Sequence, residues 1–341
     1  MPRLLVDTAV LSGHANSLPL TWLDGFELLP FAPRELTPHT PHAGDADALL
    51  VRTTTRVAAP LLAGLPRLRA VATLSSGTDH LDLRAIRERG VSLHTGHGGN
   101  AIAVADWVHW ALSRLTLQNR RVLIVGVGAV GTAVARLLTA CGFELTFCDP
   151  PRAEREPDFA GVTLDEALRQ GPWGAVTLHV PKALEGAHAT QDLLNRPRLQ
   201  QLRGAVVLNA ARGGVLEEVA ALTLRAEGFL GGLAVDTFCN EPRPRADLLH
   251  AADLATPHIA GHSIEGKLRV AHRAMAGLRT ALDLPPSGTL ATAIRDVLAT
   301  LGERDLAAFP ALDAANLALK GQPERFEEIR HDHRRIEHFL P

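Results

Sequence analysis

Arg121-Val-Leu-Ile-Val-Gly126-Val-Gly128-Ala-Val-Gly131-Thr-Ala-Val-Ala135 decides the fold. The run Arg121–Val125 predicts a strand buried on both faces, and the residues after Gly131 predict a helix. Each glycine between them has its own reason. Gly126 permits a tight turn, Gly128 lets a pyrophosphate approach the backbone, and Gly131 lets helix and strand pack closely. Val127, Ala129 and Val130 complete the loop, whose backbone N–H groups and helix dipole favour phosphate. Asp149 ends the next apolar run, eighteen residues on. A carboxylate there accepts from ribose hydroxyls and repels a 2′-phosphate, which favours NAD. Arg152 and Arg155 nearby pull the other way.

Working outward, short apolar runs recur: Leu4–Val6, Ala48–Val51, Ala70–Leu74 and Val91–Leu93 before the fingerprint, and Ala175–Val180, Ala205–Leu208 and Gly232–Val235 after it. Helical stretches separate them, the pattern of parallel strands with crossover helices. Asn100–Leu117 reads as a helix capped by Asn100. The expectation is an α/β fold with two Rossmann-like doubly wound parallel-sheet domains and a short α-rich C-terminal segment. Residues 1–95 and 262–284 would form a substrate-binding domain, 96–261 a nucleotide-binding domain, and 285–341 the tail. Ligands in such sheets bind beyond the carboxyl ends of the strands, so a cleft between the lobes is expected to hold the active site.

The 341 residues are long enough for two domains. Thirty-five basic against 37 acidic residues argue against nucleic-acid binding by bulk charge. No apolar run reaches the roughly 18 residues that span a bilayer, and Met1-Pro-Arg-Leu-Leu-Val-Asp7 lacks a leader's apolar core. The expectation is therefore a cytoplasmic protein with no membrane partner. Cys141, Cys148 and Cys239 are odd in number and lack metal-ligand spacing, so they read as reduced thiols. His258 and His262 stand four apart, but Gly261 interrupts and no third ligand follows, so no metal is expected.

Three later segments trail strands or apolar runs: Asn209-Ala-Ala-Arg212-Gly-Gly214, Asp236-Thr-Phe-Cys-Asn-Glu241-Pro242 and Thr256-Pro-His258-Ile-Ala-Gly261. Oxidising a 2-hydroxy acid needs a base for the hydroxyl proton, a cation for the carboxylate and carbonyl oxygens, and a hydride acceptor. An unperturbed imidazole exchanges protons near neutrality, so His258 can be the base. Glu241 can fix its tautomer, and Arg212 offers a planar fork. Singly, each has a bland alternative: a turn glutamate, a loop histidine, a structural ion pair. Together behind a dinucleotide loop they point to catalysis.

This ordered set resembles the D-isomer-specific 2-hydroxyacid dehydrogenases. More narrowly, Leu50-Val-Arg-Thr-Thr-Thr-Arg-Val57, Ser76-Gly-Thr-Asp-His-Leu-Asp82, Gly99-Asn-Ala-Ile-Ala-Val104, Cys148-Asp-Pro-Pro-Arg-Ala153 and His258-Ile-Ala-Gly-His-Ser-Ile-Glu-Gly-Lys267 resemble one branch. That branch oxidises 4-phospho-D-erythronate on the way to pyridoxal phosphate. The tail Pro323–Arg330 is similar to its dimerisation domain. The resemblance implies Arg212, Glu241 and His258 as catalytic residues. It implies NAD contacts at the glycine loop, Asp149, Asp236 and Gly261, and substrate at Thr53 and Ser75, with Ser76, Gly77 and His262 in the same segments. A homodimer is implied, with the helix after Asn100 as a pairing element. Departures are His262 for Tyr, Val180 for Thr and Ala211 for Cys, leaving backbone for any cofactor contact at Val180. Arg52 and Lys267 are candidates for a substrate phosphate. The rival readings are a sister dehydrogenase acting on phosphoglycerate or on glyoxylate and hydroxypyruvate, and a dinucleotide-sensing scaffold.

Overall fold

The computed structural model describes residues 1–11, 18–300 and 308–338. The chain gathers into two compact units, Met1–Asn100 with Ile264–Asp305 and Ala101–Ser263 with Leu306–Pro341.

The first unit carries β1 (Arg3–Asp7), β2 (Glu27–Phe31), β3 (Ala48–Val51), β4 (Ala70–Thr73) and β5 (Ser92–Thr95). All pairings are parallel, in the order β2-β1-β3-β4-β5. Every residue of β3 and β4 is buried, as befits central strands with both faces covered. Leu49, Val51 and Val71 pack on Leu61, Leu62 and Ile86. The order reverses between β1 and β3, and Arg52–Thr55 leaves β3 beside that switch point. The helix Ile264–Ala281 returns to this unit and lies on β4 and β5. Gly99 permits the approach, since a Cβ there would stand 2.7 Å from Val270 N.

The second unit carries β6 (Arg121–Val125), β7 (Glu144–Cys148), β8 (Ala175–Leu178), β9 (Val206–Asn209), β10 (Gly232–Val235) and β11 (Leu254–Ala255). They form a parallel sheet in the order β11-β10-β9-β8-β6-β7. The switch point falls between β6 and β8, where the glycine loop emerges. One face packs on Trp107, Val108 and Ala111 of the helix Ala101–Arg114, the other on Ala220, Leu224 and Leu248.

Three features differ from the sequence reading. β2 was not legible, because Pro30 interrupts it; it sits at the sheet edge, where a missing N–H is tolerated. The stretch 285–341 is divided: the helix Leu290–Thr300 packs on Ile264–Ala281, while the helix Ala308–Gly321 joins the second unit. The latter buries Leu312 and Ala315 with Trp110, and Asn316 Oδ1 accepts from Ala255 N of the edge strand β11 at 2.8 Å. The tail thus also packs on the Trp110 side of the helix after Asn100. Trp107, Trp110 and Ala111 have no exposed surface, and Trp110 Nε1 donates to Asp313 at 2.9 Å.

Candidate active site

Three adjacent strands, β9, β10 and β11, deliver the three candidate side chains at their carboxyl ends. After β9, Asn209 Oδ1 accepts from Ala211 N at 3.1 Å and its Nδ2 donates to Arg212 O at 3.2 Å. This side-chain turn fixes the loop, and Arg212 Nη1 donates to Ala211 O at 2.8 Å. Gly213 then touches the next loop: a Cβ there would stand 2.0 Å from Phe238 O and 2.7 Å from Cys239 N. The Arg212 turn is thus pressed against the segment leading to Glu241.

Glu241 Oε1 accepts from Phe238 N at 2.9 Å, and Glu241 Oε2 lies 2.8 Å from His258 Nδ1. Burial pushes the Glu241 pKa up, but the hydrogen bond and charge of His258, the Phe238 N–H and Arg330 outweigh it and hold the group below the usual carboxylate range. An ionised carboxylate only accepts, so Nδ1 carries a proton in this contact. His258 itself adopts φ +56°, a conformation costly for a branched or bulky residue and held only by its surroundings. Asp236 provides much of that hold. Its carboxylate accepts from Thr256 Oγ1 at 2.6 Å, Ile259 N at 2.8 Å and Ala260 N at 3.0 Å. Trp107 Nε1 in turn donates to Thr256 Oγ1 at 2.9 Å. Burial raises the Asp236 pKa against the lowering effect of His258 and these donors.

At the other end of the sheet, Gly126 has φ +88°, and a Cβ on it would stand 2.7 Å from the carbonyl carbon of His179. On Gly131 a Cβ would stand 2.0 Å from Gly126 O. On Gly128 it would meet nothing within 4 Å. No packing demands that glycine, so the open face fits an approaching phosphate. Asp149 Oδ2 accepts from Val127 N at 2.7 Å and Oδ1 from Arg152 N at 2.9 Å, which leaves lone pairs for a ribose. Val180 follows β8 at the switch point.

The sequence profile of the D-isomer specific 2-hydroxyacid dehydrogenase NAD-binding domain matches residues 93–260. Erythronate-4-phosphate dehydrogenase from Escherichia coli O1:K1 is 37% identical over 267 residues, covering 72% of this chain and 69% of that protein. The chain belongs to the D-isomer specific 2-hydroxyacid dehydrogenases. Its counterpart from Shigella dysenteriae serotype 1 matches equally, at 37% identity with the same coverage. Among solved structures, the glyoxylate/hydroxypyruvate reductase from Sinorhizobium meliloti superposes with a TM-score of 0.69 at 22% identity, over 85% of this chain and 97% of that one. The NAD-dependent formate dehydrogenase from Staphylococcus aureus gives 0.63 at 22%, over 84% and 97%. These two share the fold.

As a member of this family the chain is an NAD-dependent dehydrogenase. Arg152 agrees with the unphosphorylated cofactor. Its Nη1 donates to Val127 O at 2.8 Å, its Nε to Glu156 at 2.8 Å, and its guanidinium lies over Phe159. A cation so engaged is poorly placed to receive a 2′-phosphate. Two other groups near the family's motifs are chemically quiet. Burial drives the His179 pKa down to about 3, so it is neutral, with Nε2 2.9 Å from Thr177 Oγ1. Burial and Glu218 raise the Cys239 thiol to about 11, so it is no ready nucleophile.

In the first unit, Ser75 Oγ donates to Gly77 O at 2.7 Å and Ser76 Oγ to Asn100 Oδ1 at 2.8 Å. Thr73 Oγ1 lies 2.9 Å from both Ser75 Oγ and His80 Nε2. Arg52 and Thr53 follow β3, and Lys267 lies in the first turn of Ile264–Ala281. Residues missed from sequence are Trp107, Thr256 and His80. Each acts through a partner far along the chain or on the next turn, which spacing does not encode.

Proposed function

We propose that this chain oxidises 4-phospho-D-erythronate to (R)-3-hydroxy-2-oxo-4-phosphobutanoate, with the product destined for pyridoxal phosphate synthesis. The observation that carries the chemistry is the 2.8 Å contact of His258 Nδ1 with the Glu241 carboxylate. The relatives' shared activity supports the substrate. NAD bound along Gly126–Gly131, Asp149, Val180 and Ala211, with Asp236 and Gly261 beyond, supplies a two-electron acceptor for the C2 hydride. His258 Nε2 takes the C2 hydroxyl proton, and Glu241 stabilises the imidazolium that results. Arg212 pairs with the substrate carboxylate and polarises the nascent C2 oxygen. Arg52 and Lys267 hold the 4-phosphate, aided by the Thr53, Ser75, Ser76 and Gly77 segments. His262 replaces a phenol by an imidazole that still donates to substrate. The working form is a homodimer.

Purified protein incubated with NAD and 4-phospho-D-erythronate should form NADH, followed by its near-ultraviolet absorbance. Faster turnover of D-3-phosphoglycerate or D-glycerate would reassign the substrate, and no turnover of any 2-hydroxy acid would reject the reading. His258→Asn should lower kcat by about 10²–10⁴-fold. Arg52→Ala should raise KM for the phosphorylated substrate; unchanged kinetics would remove Arg52 from the phosphate site.

A further inference from the structure

The tail's last described stretch, residues 333–338, is irregular, yet every second residue from His333 to Glu337 is buried. Arg335 has no exposed surface, His333 8% and Glu337 3%. Burying a guanidinium is expensive unless it is paired and bonded, so this one invites a reason. Its Nη2 donates to two backbone carbonyls, Ala103 O at 2.9 Å and Ala260 O at 2.7 Å. Its Nη1 lies 3.8 Å from the equally buried Asp106 Oδ2. That carboxylate also accepts from His338 N at 2.8 Å. Two residues on, Glu337 Oε1 accepts from Ser263 Oγ at 2.9 Å.

Ala260 is two residues from His258, and both its N–H and its carbonyl are held. Its N–H donates to Asp236 Oδ2 at 3.0 Å, and its carbonyl receives Arg335. Glu337 ties the same loop at Ser263. The loop needs such a grip because His258 holds φ +56°, a strained state that persists only when over-determined.

We propose that Arg335 is a positioning residue for His258: with Asp106 and Glu337, the C-terminal segment clamps the 259–263 loop from outside and holds the imidazole in line with Glu241. This rests on the reading of His258 as the base. A tail that elsewhere reads as an appendage thereby becomes part of the catalytic scaffold. Lysine cannot replace the arginine fully, since a single ammonium nitrogen lacks the second amino group that faces Asp106 while the first meets the two carbonyls.

The test compares Arg335→Met and Arg335→Lys with the full-length wild type. Expected for Arg335→Met is a kcat at least tenfold lower, with KM for NAD and NADH affinity by fluorescence titration within threefold of wild type. Arg335→Lys should recover part of the loss. Long-range ¹H–¹⁵N spectra of the imidazoles, with the His258 signal assigned by its loss in His258→Asn, should show a changed Nδ1 shift in Arg335→Met. An unchanged kcat, or a lowered kcat with the His258 signal unmoved, overturns the proposal. A wild type without turnover whose His258 signal still moves in Arg335→Met would reject the proposed reaction and keep the clamp. If Arg335→Met does not fold, Glu337→Gln loosens the same segment: kcat falling threefold or more with the His258 signal displaced supports the clamp, and neither change overturns it.

Discussion

At the residue scale, the informative pair is Glu241 and His258. The depressed Glu241 pKa is a stability statement as well as a catalytic one. A carboxylate with a folded pKa below its unfolded value stabilises the native state above about pH 4.5. That contribution is lost as the pH falls through the lower, folded value. Glu241→Gln should therefore be less stable than wild type at pH 7, and the gap should close as the pH falls below about 4.5, read by urea denaturation across pH. A constant gap would mean that Glu241 is not held ionised by His258. The sequence singles out Arg212, Glu241 and His258 because hydroxy-acid chemistry limits which residue types can act and the strand ends limit where; the structure brings Glu241 and His258 into contact. Asp236, expected to contact the cofactor, also accepts from Thr256, Ile259 and Ala260 and so braces the His258 loop. A lone aspartate after a strand does not say whether it faces a ligand or its own backbone.

At the element scale, strands buried on both faces announced themselves. β1, β3, β4 and β6 are continuous apolar runs because helices cover both sides of each sheet. The edges escaped notice. β2 carries Pro30 and is largely exposed, and β11 is two residues long. Neither has the periodicity from which a strand is read. The tail reads from sequence only as α-rich; where the helix Ala308–Gly321 docks is not legible, since amphipathicity names a face without naming what covers it. Its partners are Trp110 and β11, and Leu312 within it has no exposed surface. Leu312→Ala should cost about 2–5 kcal/mol, as buried leucine truncations do, measured as a lower urea midpoint at unchanged slope. A loss under about 0.5 kcal/mol, the range of surface substitutions, would mean that this helix is not packed on the second unit's core.

At the scale of the whole molecule, the proposed function distributes its ligands over two separately folded sheets. The proposed NAD contacts are at 126–131 and 149, after β6 and β7, where backbone N–H groups and the open face at Gly128 favour a pyrophosphate. The phosphate end of the substrate is assigned to Arg52, Thr53 and Lys267, all in the unit built from Met1–Asn100 and Ile264–Asp305. A ligand that binds the native state slows local opening wherever it makes contact. Hydrogen exchange followed peptide by peptide should therefore separate the two. NAD alone should protect the peptides containing Gly126–Gly131 and Asp149. Adding 4-phospho-D-erythronate should bring new protection to 52–55 and 75–77 and to the first turn of the Ile264–Ala281 helix, whereas D-glycerate, which lacks the phosphate, should protect 52–55 less. If the phosphorylated acid slows exchange only around Arg212 and His258, the phosphate is held within the second unit, and the role given to Arg52 and Lys267 is wrong even if the dehydrogenase reaction itself is confirmed.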